Sequence, residues 1–544
     1  MTLVGASIVI STLLVGLFVV YKLLQGWANS AYNFYKNDPP SSCDIDSFVS
    51  TSDYNSNPPN KLKVSFMHKV QVRGWKGRNA RTTPMELECV KSPHVDGLYV
   101  SRQAASEGKA SGAIDGETVV PIDEVLSTKQ PGHEDKPPVI VATIRMGFGH
   151  HRIAYSACSW AMEHGHTTIF HDFLNIESDE ADMIRTLDHF YSKFSRVASE
   201  FGSYAEKAWG QMMKQGDADA LRAAALTGAQ LQCLLTKFPK DTPIVCTHQV
   251  CALTAAAAGF TNVVNLVVDN FPQWFLVVPK TLNITQGPVN YQSYLKMGVP
   301  PADLRLAGHW CPSDLVKNIE ADCNRRIARA KDPSNKPRRL LIPVGGAGAQ
   351  KSFIINFIEA VEPWIRDGKL QLFLNAGDHK HMKTAFVEVL GKCKLDYDTV
   401  TTTQGVRDFQ SKLLGDGSPE PAKAVTLFAF EDYFPAVATT DLLCRVADVL
   451  TCKPSELAFY PIPKLHIRRV GDHEAYSAIR AAEVNDGSLE AREISDALRY
   501  LELLCNSTSE GCDLLPSWNQ AIIDNHVKLN MYDGCKNAVK WAGE

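Results

Sequence analysis

The feature that most constrains this chain is an alternation, from residue 137 onward, of short β-branched runs with longer amphipathic stretches. Parallel strands that are buried on both faces form short apolar runs, and a crossover helix usually follows each of them. The alternation therefore predicts β-α units around parallel sheets. The predicted strands are Val139–Ile144, Thr167–His171, Pro243–Thr247, Val263–Val268, Leu340–Val344, Leu370–Leu374, Ala424–Phe428, Val446–Thr451 and Pro463–Ile467.

The chain is too long for a single hydrophobic core. Its 544 residues exceed the ~100 to 200 residues of a usual domain, which indicates two or three domains. A basic helix and then the polar segment KDPSNKPRR lie between Leu315 and Arg339, a composition typical of a linker. We therefore predict Rossmann-like domains over residues 137–330 and 331–544.

The charge balance and the cysteines argue against two classes of function. Lys and Arg number 56 against 60 for Asp and Glu, so nucleic acid is not a predicted partner. The 14 cysteines are scattered singly, with no C-x-x-C pair. This pattern favours reduced, buried thiols over a disulfide framework or a structural zinc site.

The N-terminal segment has the composition of a membrane span. Residues 3–24 are apolar and carry one charged side chain, that of Lys22. Roughly 20 helical residues cross a ~30 Å hydrocarbon layer, which predicts a transmembrane anchor over residues 1–27. Lys22 and Lys36 follow the span, so the positive-inside bias places the soluble domains in the cytosol, at an organelle that the sequence does not identify.

The next two segments give weaker signals. Residues 28–62 are rich in Pro, Ser, Asn and Asp, which predicts a flexible stalk. Residues 63–136 contain one alternating stretch, Val64–Val72, and are otherwise rich in Gly, Ser and charged residues. No function is assigned to residues 63–136.

Each predicted half opens with a strand that runs into a glycine-rich turn. Gly147 and Gly149 belong to VIVATIRMGFGHHRIAYSA, and Gly345, Gly346 and Gly348 belong to LLIPVGGAGAQ. Glycine lets the backbone approach a ligand, and the following helix N-terminus attracts anions. Neither turn matches a dinucleotide fingerprint or a P-loop, and a tight connection without a ligand accounts equally well for either one alone. Two turns at matching positions favour a shared cleft.

Two histidines, His150 and His151, follow the first turn at the carboxyl end of a strand, where open α/β sheets bind ligands. A histidine titrates near neutral pH and can act as a general base toward a hydroxyl group. The alternative is a pair of helix-capping or solvent-facing side chains. The sequence does not decide which of the two histidines would be the base.

The first turn, GFGHHRIAYSA, resembles the G-x-G-G-H or G-G-G-H-x-x-S-A turn of the glycosyltransferases that include monogalactosyldiacylglycerol synthase and the peptidoglycan-precursor N-acetylglucosaminyltransferase. The resemblance is distant and covers residues 137–490 through the order of its parts. It implies an α/β fold of the GT-B type, in which two Rossmann-like domains face a cleft, here preceded by one N-terminal transmembrane helix.

The first half continues in the order of this family. THQVCALTAAAAG resembles the family's strand that ends in Thr-His, here at His248, and the next strand ends at Asp269. Trp274 follows, and then a helix that ends at Gly298. The resemblance implies that Gly147, Gly149, His248 and Trp274 belong to the acceptor side, with Asp269 among the catalytic residues. Ordinary core packing explains Trp274 equally well.

The second half resembles the nucleotide-binding half of the family, including GGAGAQ and VADVLTCKPSELAFYPIPKLHIRRVGDHEAYSAIRAAEV. The resemblance implies that the backbone at Phe430 contacts the base and that Ser455 and Glu456 open a helix at the ribose. It places His473 and Glu474 at the donor sugar. A capping serine with a first-turn glutamate also explains Ser455 and Glu456 without any ligand.

This chain departs from the family at one turn. Where the family has glycines before the Thr or Ser, this chain has Cys452, Lys453 and Pro454. Proline has no N–H, so one backbone donor toward a phosphate is missing, and Lys453 is the candidate to supply positive charge instead. The departure also fits a protein that has lost donor chemistry.

The resemblance implies a membrane-anchored enzyme that moves a sugar from a uridine-diphosphate sugar to a hydroxyl acceptor with inversion. The lipid-modifying relatives and the predicted anchor favour a lipid acceptor at the membrane. Helix N-termini and backbone N–H groups would stabilise the departing diphosphate, so neither a metal nor a cofactor is expected. The alternatives are an enzyme of the nucleotide-sugar epimerase type and a non-catalytic binding protein of the same architecture.

Overall fold

The computed structural model describes residues 15–30, 59–72, 85–104, 118–133, 135–186, 218–332, 336–345, 350–415, 420–469, 474–505 and 514–544. Within these ranges the chain forms two separate sheets surrounded by helices. Each of the strands predicted from the sequence is present, and the predicted α/β class is confirmed. The strands Val139–Thr143 and Arg338–Pro343, which precede the two glycine turns, lie in different sheets.

The first sheet has the order β3-β1-β2-β5-β4-β6-β7-β8-β9. Its strands are β1 Leu87–Lys91, β2 Leu98–Gln103, β3 Val119–Pro121, β4 Val139–Thr143, β5 Thr168–Asp172, β6 Ile244–Cys246, β7 Val263–Leu266, β8 Leu282–Thr285 and β9 Leu304–Leu306. Strands β2 and β4 to β9 pair in parallel, whereas β1 pairs antiparallel with β2 and β3. The unassigned region 63–136 therefore supplies the antiparallel edge of this sheet.

The second sheet is parallel throughout and has the order β12-β13-β11-β10-β14-β15. Its strands are β10 Arg338–Pro343, β11 Leu370–Gly377, β12 Tyr397–Val400, β13 Val425–Ala429, β14 Val449–Cys452 and β15 Lys464–His466. Its central strands β10 and β11 are buried along their length, because helices cover both faces.

The helices that connect and flank the strands are also well defined. They are α1 Lys61–Gln71, α2 Ile122–Ser127, α3 Gly149–Glu163, α4 Ala218–Gln230, α5 Gln249–Ala257, α6 Pro288–Met297, α7 Ser313–Lys317, α8 Ile319–Lys331, α9 Lys351–Arg366, α10 Lys380–Lys392, α11 Thr403–Leu414, α12 Tyr433–Cys444, α13 Ala475–Glu483, α14 Ile494–Cys505, α15 Leu514–Leu529 and α16 Gly534–Ala542. Residues 15–30 and 179–186 are helical as well. The alternating stretch Val64–Val72 falls almost entirely within α1.

The C-terminal end of the chain returns to the first sheet. The His309 N–H donates to the Met531 carbonyl at 2.6 Å, the Gly534 N–H donates to the His309 carbonyl at 3.0 Å, and α16 then packs against α3. A Cβ at Gly534 would lie 2.3 Å from the Gly308 carbonyl oxygen, so this crossing requires glycine. The domain limits 137–330 and 331–544 stay a prediction.

The N-terminal predictions fall largely outside the described residues, which begin at residue 15 and omit residues 31–58. Over the ranges that the structure covers, no helix combines the length and apolar character needed to cross a bilayer. The predicted transmembrane helix is therefore not supported.

Histidine burial in the first sheet predicts a dependence of stability on pH. His171 in β5 is fully buried, with Nε2 donating to the Leu234 carbonyl at 3.1 Å and Nδ1 bonded to Ser101 Oγ at 2.6 Å. Burial lowers the pKa of His171 from 6.5 to about 4. Because the folded protein binds this proton less readily than the unfolded chain, the contribution is present above pH ~6.5 and is lost as the pH falls toward 4.

We therefore expect the free energy of unfolding to fall by about 2 kcal/mol between pH 6.5 and pH 5 on account of His171. Urea denaturation at the two pH values measures this difference, and His171→Gln should make it smaller because glutamine does not titrate. An unchanged pH dependence in His171→Gln would contradict the assignment.

Candidate functional site

The carboxyl ends of strands from the two sheets meet at a seam. The Arg145 guanidinium, which follows β4, donates to Asp378 Oδ2 at 3.4 Å across the seam. The same guanidinium lies 3.5 Å from the ring centroid of Tyr433, and the Tyr433 hydroxyl donates to the Gly147 carbonyl at 3.2 Å. Cation–π and ion-pair contacts thus join the first glycine turn to the second half of the chain.

The two glycine turns are connected through His379, the residue that follows β11 by two positions. The Phe148 ring of the first turn lies 5.3 Å from the His379 ring, measured between centroids. Burial lowers the pKa of His379, and the backbone of Gly345 in the second turn, which lies beside this side chain, opposes that shift. A Cβ at Gly377, the last residue of β11, would lie 3.2 Å from Phe148 Cε2, so the first turn packs closely against the end of β11. The two turns therefore face the same seam.

The contacts of Arg145, Asp378, His379 and Tyr433 form the first border of the seam. A second border is formed by residues that follow β7 and β8 and by residues of α13. The rings of Phe271, after β7, and Tyr476, in α13, have centroids 4.9 Å apart. A Cβ at Gly287, after β8, would lie 3.4 Å from Arg480 Nε in α13. In the sheet orders, β6 lies between β4 and β7, and β10 and β14 lie between β11 and β15. The turns after β6, β10 and β14 therefore lie between the two borders, in the region that is called the cleft below.

His150 is held at this cleft by the end of β6. Its Nδ1 lies 2.6 Å from the Thr247 carbonyl, and the Thr247 hydroxyl donates to the His150 carbonyl at 3.1 Å. Because a carbonyl can only accept, His150 Nδ1 carries the hydrogen, and in the neutral imidazole the lone pair is on Nε2. The geometry thus fixes the tautomer that a general base requires.

His248 packs against His150, with ring centroids 4.6 Å apart in an edge contact. Its Nδ1 accepts from the Val250 N–H at 3.2 Å, which caps the N-terminus of α5. Burial, and then the neighbouring His150, lower the pKa of His248 well below its ordinary value. His248 therefore stays neutral and supports the His150 ring.

His151 is buried beside the seam, with its ring 5.2 Å from that of Tyr433 between centroids. Its Nε2 lies 2.9 Å from Asp172 Oδ2, and both side chains are buried. Asp172 Oδ1 also accepts from the backbone N–H groups of Arg145 and Leu174, at 3.3 and 3.0 Å. The His151–Asp172 pair thus anchors the first turn to the end of β5.

The second half contributes Lys453, in the turn after β14, and Glu474, at the start of α13. Lys453 forms an ion pair with Glu474, whose side chain is buried. A Cβ at Gly345 would lie 3.5 Å from Lys453 Cε, so the lysine stem packs on the second glycine turn. The Ser455 N–H donates to the Lys453 carbonyl at 2.9 Å, which closes the tight turn after β14.

The remaining predicted residues have other positions. Trp274 is 1% exposed and packs in the core of the first half rather than along the cleft. Phe430 is also buried, and its N–H donates to the Gly377 carbonyl. Asp269 is half-buried, and its carbonyl accepts from Asn290 Nδ2 at 2.6 Å. The predicted residues outside the described chain are Gly346, Gly348, His473 and the side chain of Glu456.

Gly149 is the first residue of α3, at the end of the first turn. The seam also contains residues that the sequence did not single out, which are Arg145, Asp378, His379, Tyr433 and Arg480. Asp378 and His379 directly follow β11, so the rule that ligands gather at carboxyl ends of strands could have found them. Across the described ranges, no group of three or more His, Cys, Asp or Glu side chains is arranged to hold a metal ion.

The fold and the seam define an α/β protein with two sheets whose carboxyl ends enclose a cleft. Two family models match the chain, and each is described as a domain of unknown function. Residues 111–296 match DUF6937, and residues 299–543 match DUF6938. No curated protein matches the sequence.

Several solved structures are similar to this chain. UDP-GlcNAc 2-epimerase from Neisseria meningitidis, bound to UDP-GlcNAc, has 11% identity and a TM-score of 0.40, covering 74% of this chain and 97% of that one. Trehalose 6-phosphate synthase from Burkholderia multivorans has 10% identity and a TM-score of 0.36, covering 74% and 94%. The spinosyn rhamnosyltransferase SpnG with thymidine diphosphate has 9% identity and a TM-score of 0.26, covering 74% and 95%.

Proposed function

We propose that this protein transfers a sugar from a uridine-diphosphate sugar to a hydroxyl group of an acceptor, with inversion at the anomeric carbon. The observation that carries the proposal is the contact of both glycine turns with His379, which brings two strand-to-helix turns from different sheets to one cleft. Such turns suit a diphosphate, because backbone N–H groups and helix N-termini bind anions.

On the donor side, Lys453 supplies the positive charge at the second turn. Pro454 lacks an N–H, so this turn offers one fewer backbone donor, and the ammonium group beside Gly345 compensates for it. The diphosphate, which carries more charge than a carboxylate, replaces Glu474 as the partner of Lys453 when the donor binds. The contact between Glu456 and the ribose is part of this proposal and derives from the resemblance.

On the acceptor side, His150 is the general base. The acceptor hydroxyl loses its proton to His150 Nε2 while its oxygen attacks the anomeric carbon from the face opposite the diphosphate. The bond between the anomeric carbon and the diphosphate oxygen breaks, and uridine diphosphate leaves with the electron pair. Lys453 stabilises the charge that develops on this oxygen.

The proposal is tested by calorimetry with uridine diphosphate on the full chain, followed by a panel of uridine-diphosphate sugars with and without acceptors. We expect uridine diphosphate to bind, and sugar to leave the donor only when an acceptor is present. The absence of nucleotide binding would favour a non-catalytic protein. Isomerisation of the donor without an acceptor would favour an epimerase.

The contribution of Lys453 gives a sharper test of the donor side. We expect Lys453→Ala to weaken uridine diphosphate binding by about 10- to 100-fold, the effect of losing a charge-assisted hydrogen bond. Lys351→Ala, which removes an exposed lysine at the start of α9, tests whether any nearby positive charge suffices. Equal losses in the two variants would show a general charge effect and contradict a specific contact at Lys453.

A further inference from the structure

The first turn of α3 is held on three sides. Successive residues of a helix point about 100° apart, so His150, His151 and Arg152 extend in three directions. His150 contacts the Thr247 carbonyl after β6, and His151 contacts Asp172 at the end of β5. Arg152 extends instead toward α12, in the second half of the chain. The residue two positions after the proposed base therefore connects its turn to the half that carries the proposed donor site.

Arg152 contacts α12 through two acceptors. Its Nη1 donates to the Val437 carbonyl at 3.0 Å and to Asp441 Oδ1 at 2.9 Å. The Tyr433 hydroxyl, one helical turn before Val437, donates to the Gly147 carbonyl of the first glycine turn. Tyr433, Val437 and Asp441 follow each other at four-residue intervals, so they lie on one face of α12. This face of α12 therefore contacts both the first glycine turn and the helix that follows it.

The Asp441 carboxylate joins this contact to the donor side. Its Oδ1 also accepts from the Tyr460 hydroxyl at 2.9 Å. Tyr460 directly follows the short helical segment Glu456–Phe459, which begins after the turn that contains Lys453. One carboxylate oxygen thus binds a side chain from each half. Hydrogen bonds through Asp441 therefore connect the turn of His150 with the segment that follows Lys453.

Burial of the cation distinguishes this ion pair from that of Arg145 with Asp378. The Arg152 side chain is 2% exposed, whereas the Arg145 side chain is 44% exposed. Ion pairs of exposed side chains contribute little because water and salt screen them, whereas a buried charge that loses its partner is strongly unfavourable. The Arg152–Asp441 pair therefore holds α3 against α12 more firmly than the Arg145–Asp378 pair holds the first turn.

From these contacts we infer that Arg152 is a positioning residue for sugar transfer. Its pairing with Asp441 holds the first turn of α3 so that His150 Nε2 faces the donor sugar in the second half. This inference rests on the proposed function and adds a residue to it. Arg152 is itself buried, so it acts through His150 and not by contact with a substrate. A displacement of about 1 Å between reacting groups can slow an enzymatic reaction by about 100-fold.

The test compares Arg152→Gln with the unchanged protein at a temperature well below the melting temperature of both. We expect the rate at saturating donor and acceptor to fall by roughly 10- to 100-fold, because the base is displaced. Affinity for uridine diphosphate, measured by calorimetry, should be unchanged because Lys453 is intact. Arg152→Lys should recover part of the rate, since an ammonium group can still donate to Asp441. An unchanged rate in folded Arg152→Gln would overturn the inference.

The matched control is Arg338→Gln. Arg338 is also a buried arginine, and its guanidinium donates to the Arg329 and Ala330 carbonyls at 3.2 and 3.0 Å. It is the first residue of β10, at the amino end of the strand and so away from the cleft. We expect Arg338→Gln to lower the melting temperature without changing the rate. Equal slowing in Arg338→Gln and Arg152→Gln would show a general effect of removing a buried arginine and overturn the inference.

A second variant, Asp441→Asn, guards against misfolding of Arg152→Gln. Asparagine has the shape of aspartate and keeps an oxygen that can accept from Arg152 or Tyr460, so we expect it to fold. It should slow transfer less than Arg152→Gln does. If the two residues act as a pair, the double variant should be no slower than Arg152→Gln alone. Effects on the rate that multiply in the double variant would show independent action and overturn the pairing.

Hydrogen exchange separates this inference from the proposed function. The Arg152 N–H donates to the Phe148 carbonyl at 2.8 Å in the first turn of α3. We expect the amides of this turn to exchange faster in Arg152→Gln and Asp441→Asn, and to be unchanged in Arg338→Gln. Unchanged exchange in both of the first two variants would overturn the inference. If the unchanged protein transfers no sugar, the proposed function fails, and faster exchange still shows that α12 positions this turn.

Discussion

Replacement of His150 by glutamine is expected to slow sugar transfer by about 10²- to 10⁴-fold, the usual contribution of a general base. Glutamine has a similar size but cannot take up the acceptor proton. Since His150 belongs to the first half and the proposed nucleotide site lies in the second, affinity for uridine diphosphate should stay close to that of the unchanged protein. Initial rates at saturating donor and calorimetry with uridine diphosphate measure the two quantities.

The controls use two other histidines. His133→Gln changes an exposed histidine that precedes β4. It lies toward the amino ends of the strands, away from the carboxyl ends that carry the candidate site, and the variant should leave the rate unchanged. His151→Gln removes the partner of Asp172 and should lower thermal stability together with activity, because it loosens the first turn. A rate that is unaffected by His150→Gln would refute the role of this residue.

The largest effect on stability is expected at a buried ion pair in the second half. Lys464 Nζ lies 2.9 Å from Asp486 Oδ1, and both side chains are 0% exposed. The Tyr532 hydroxyl also donates to Asp486 at 3.1 Å, and Lys464 donates to the Tyr460 carbonyl. Asp486→Ala leaves the ammonium group buried without its carboxylate, which should lower the free energy of unfolding by about 3 to 5 kcal/mol.

Chemical denaturation of the full chain measures this change. Asp524→Ala, which breaks an exposed ion pair with Lys528, is the matched control and should have a negligible effect. The double variant Lys464→Met with Asp486→Leu should recover part of the lost stability, because neither charge is then left alone. If Asp486→Ala unfolds at the same denaturant concentration as Asp524→Ala, the Lys464–Asp486 pair does not stabilise the fold as the structure implies.

The sequence predicted the sheets well where strands are buried on both faces. Strands such as β4 and β11 form uninterrupted apolar runs, and helices separate them, so periodicity alone locates them. Strands β9 and β12 were missed because LRL and YDTV are short and partly polar. The antiparallel strands before residue 137 have no crossover helices and so lack the pattern that identified the others.

The site was predicted less completely, for a geometric reason. Both histidines of the first turn were candidates, but successive residues of a helix point about 100° apart, so His150 lies at the cleft and His151 lies against Asp172. Contacts across the seam, such as Arg145 with Asp378, depend on how the halves dock and leave no periodic signal. Trp274 had two explanations, and the structure places it in the core.

The chain passes between the two halves twice, and this restricts how the halves can move relative to each other. The outgoing segment at His309 and the returning segment at Met531 run side by side and are hydrogen-bonded to each other. Two connecting segments restrict twisting much more than a single linker does. We therefore expect the relative motion of the two halves to be a hinge rotation about one axis. Access to the cleft would then be governed by an opening angle, while the lateral alignment of the two glycine turns is preserved.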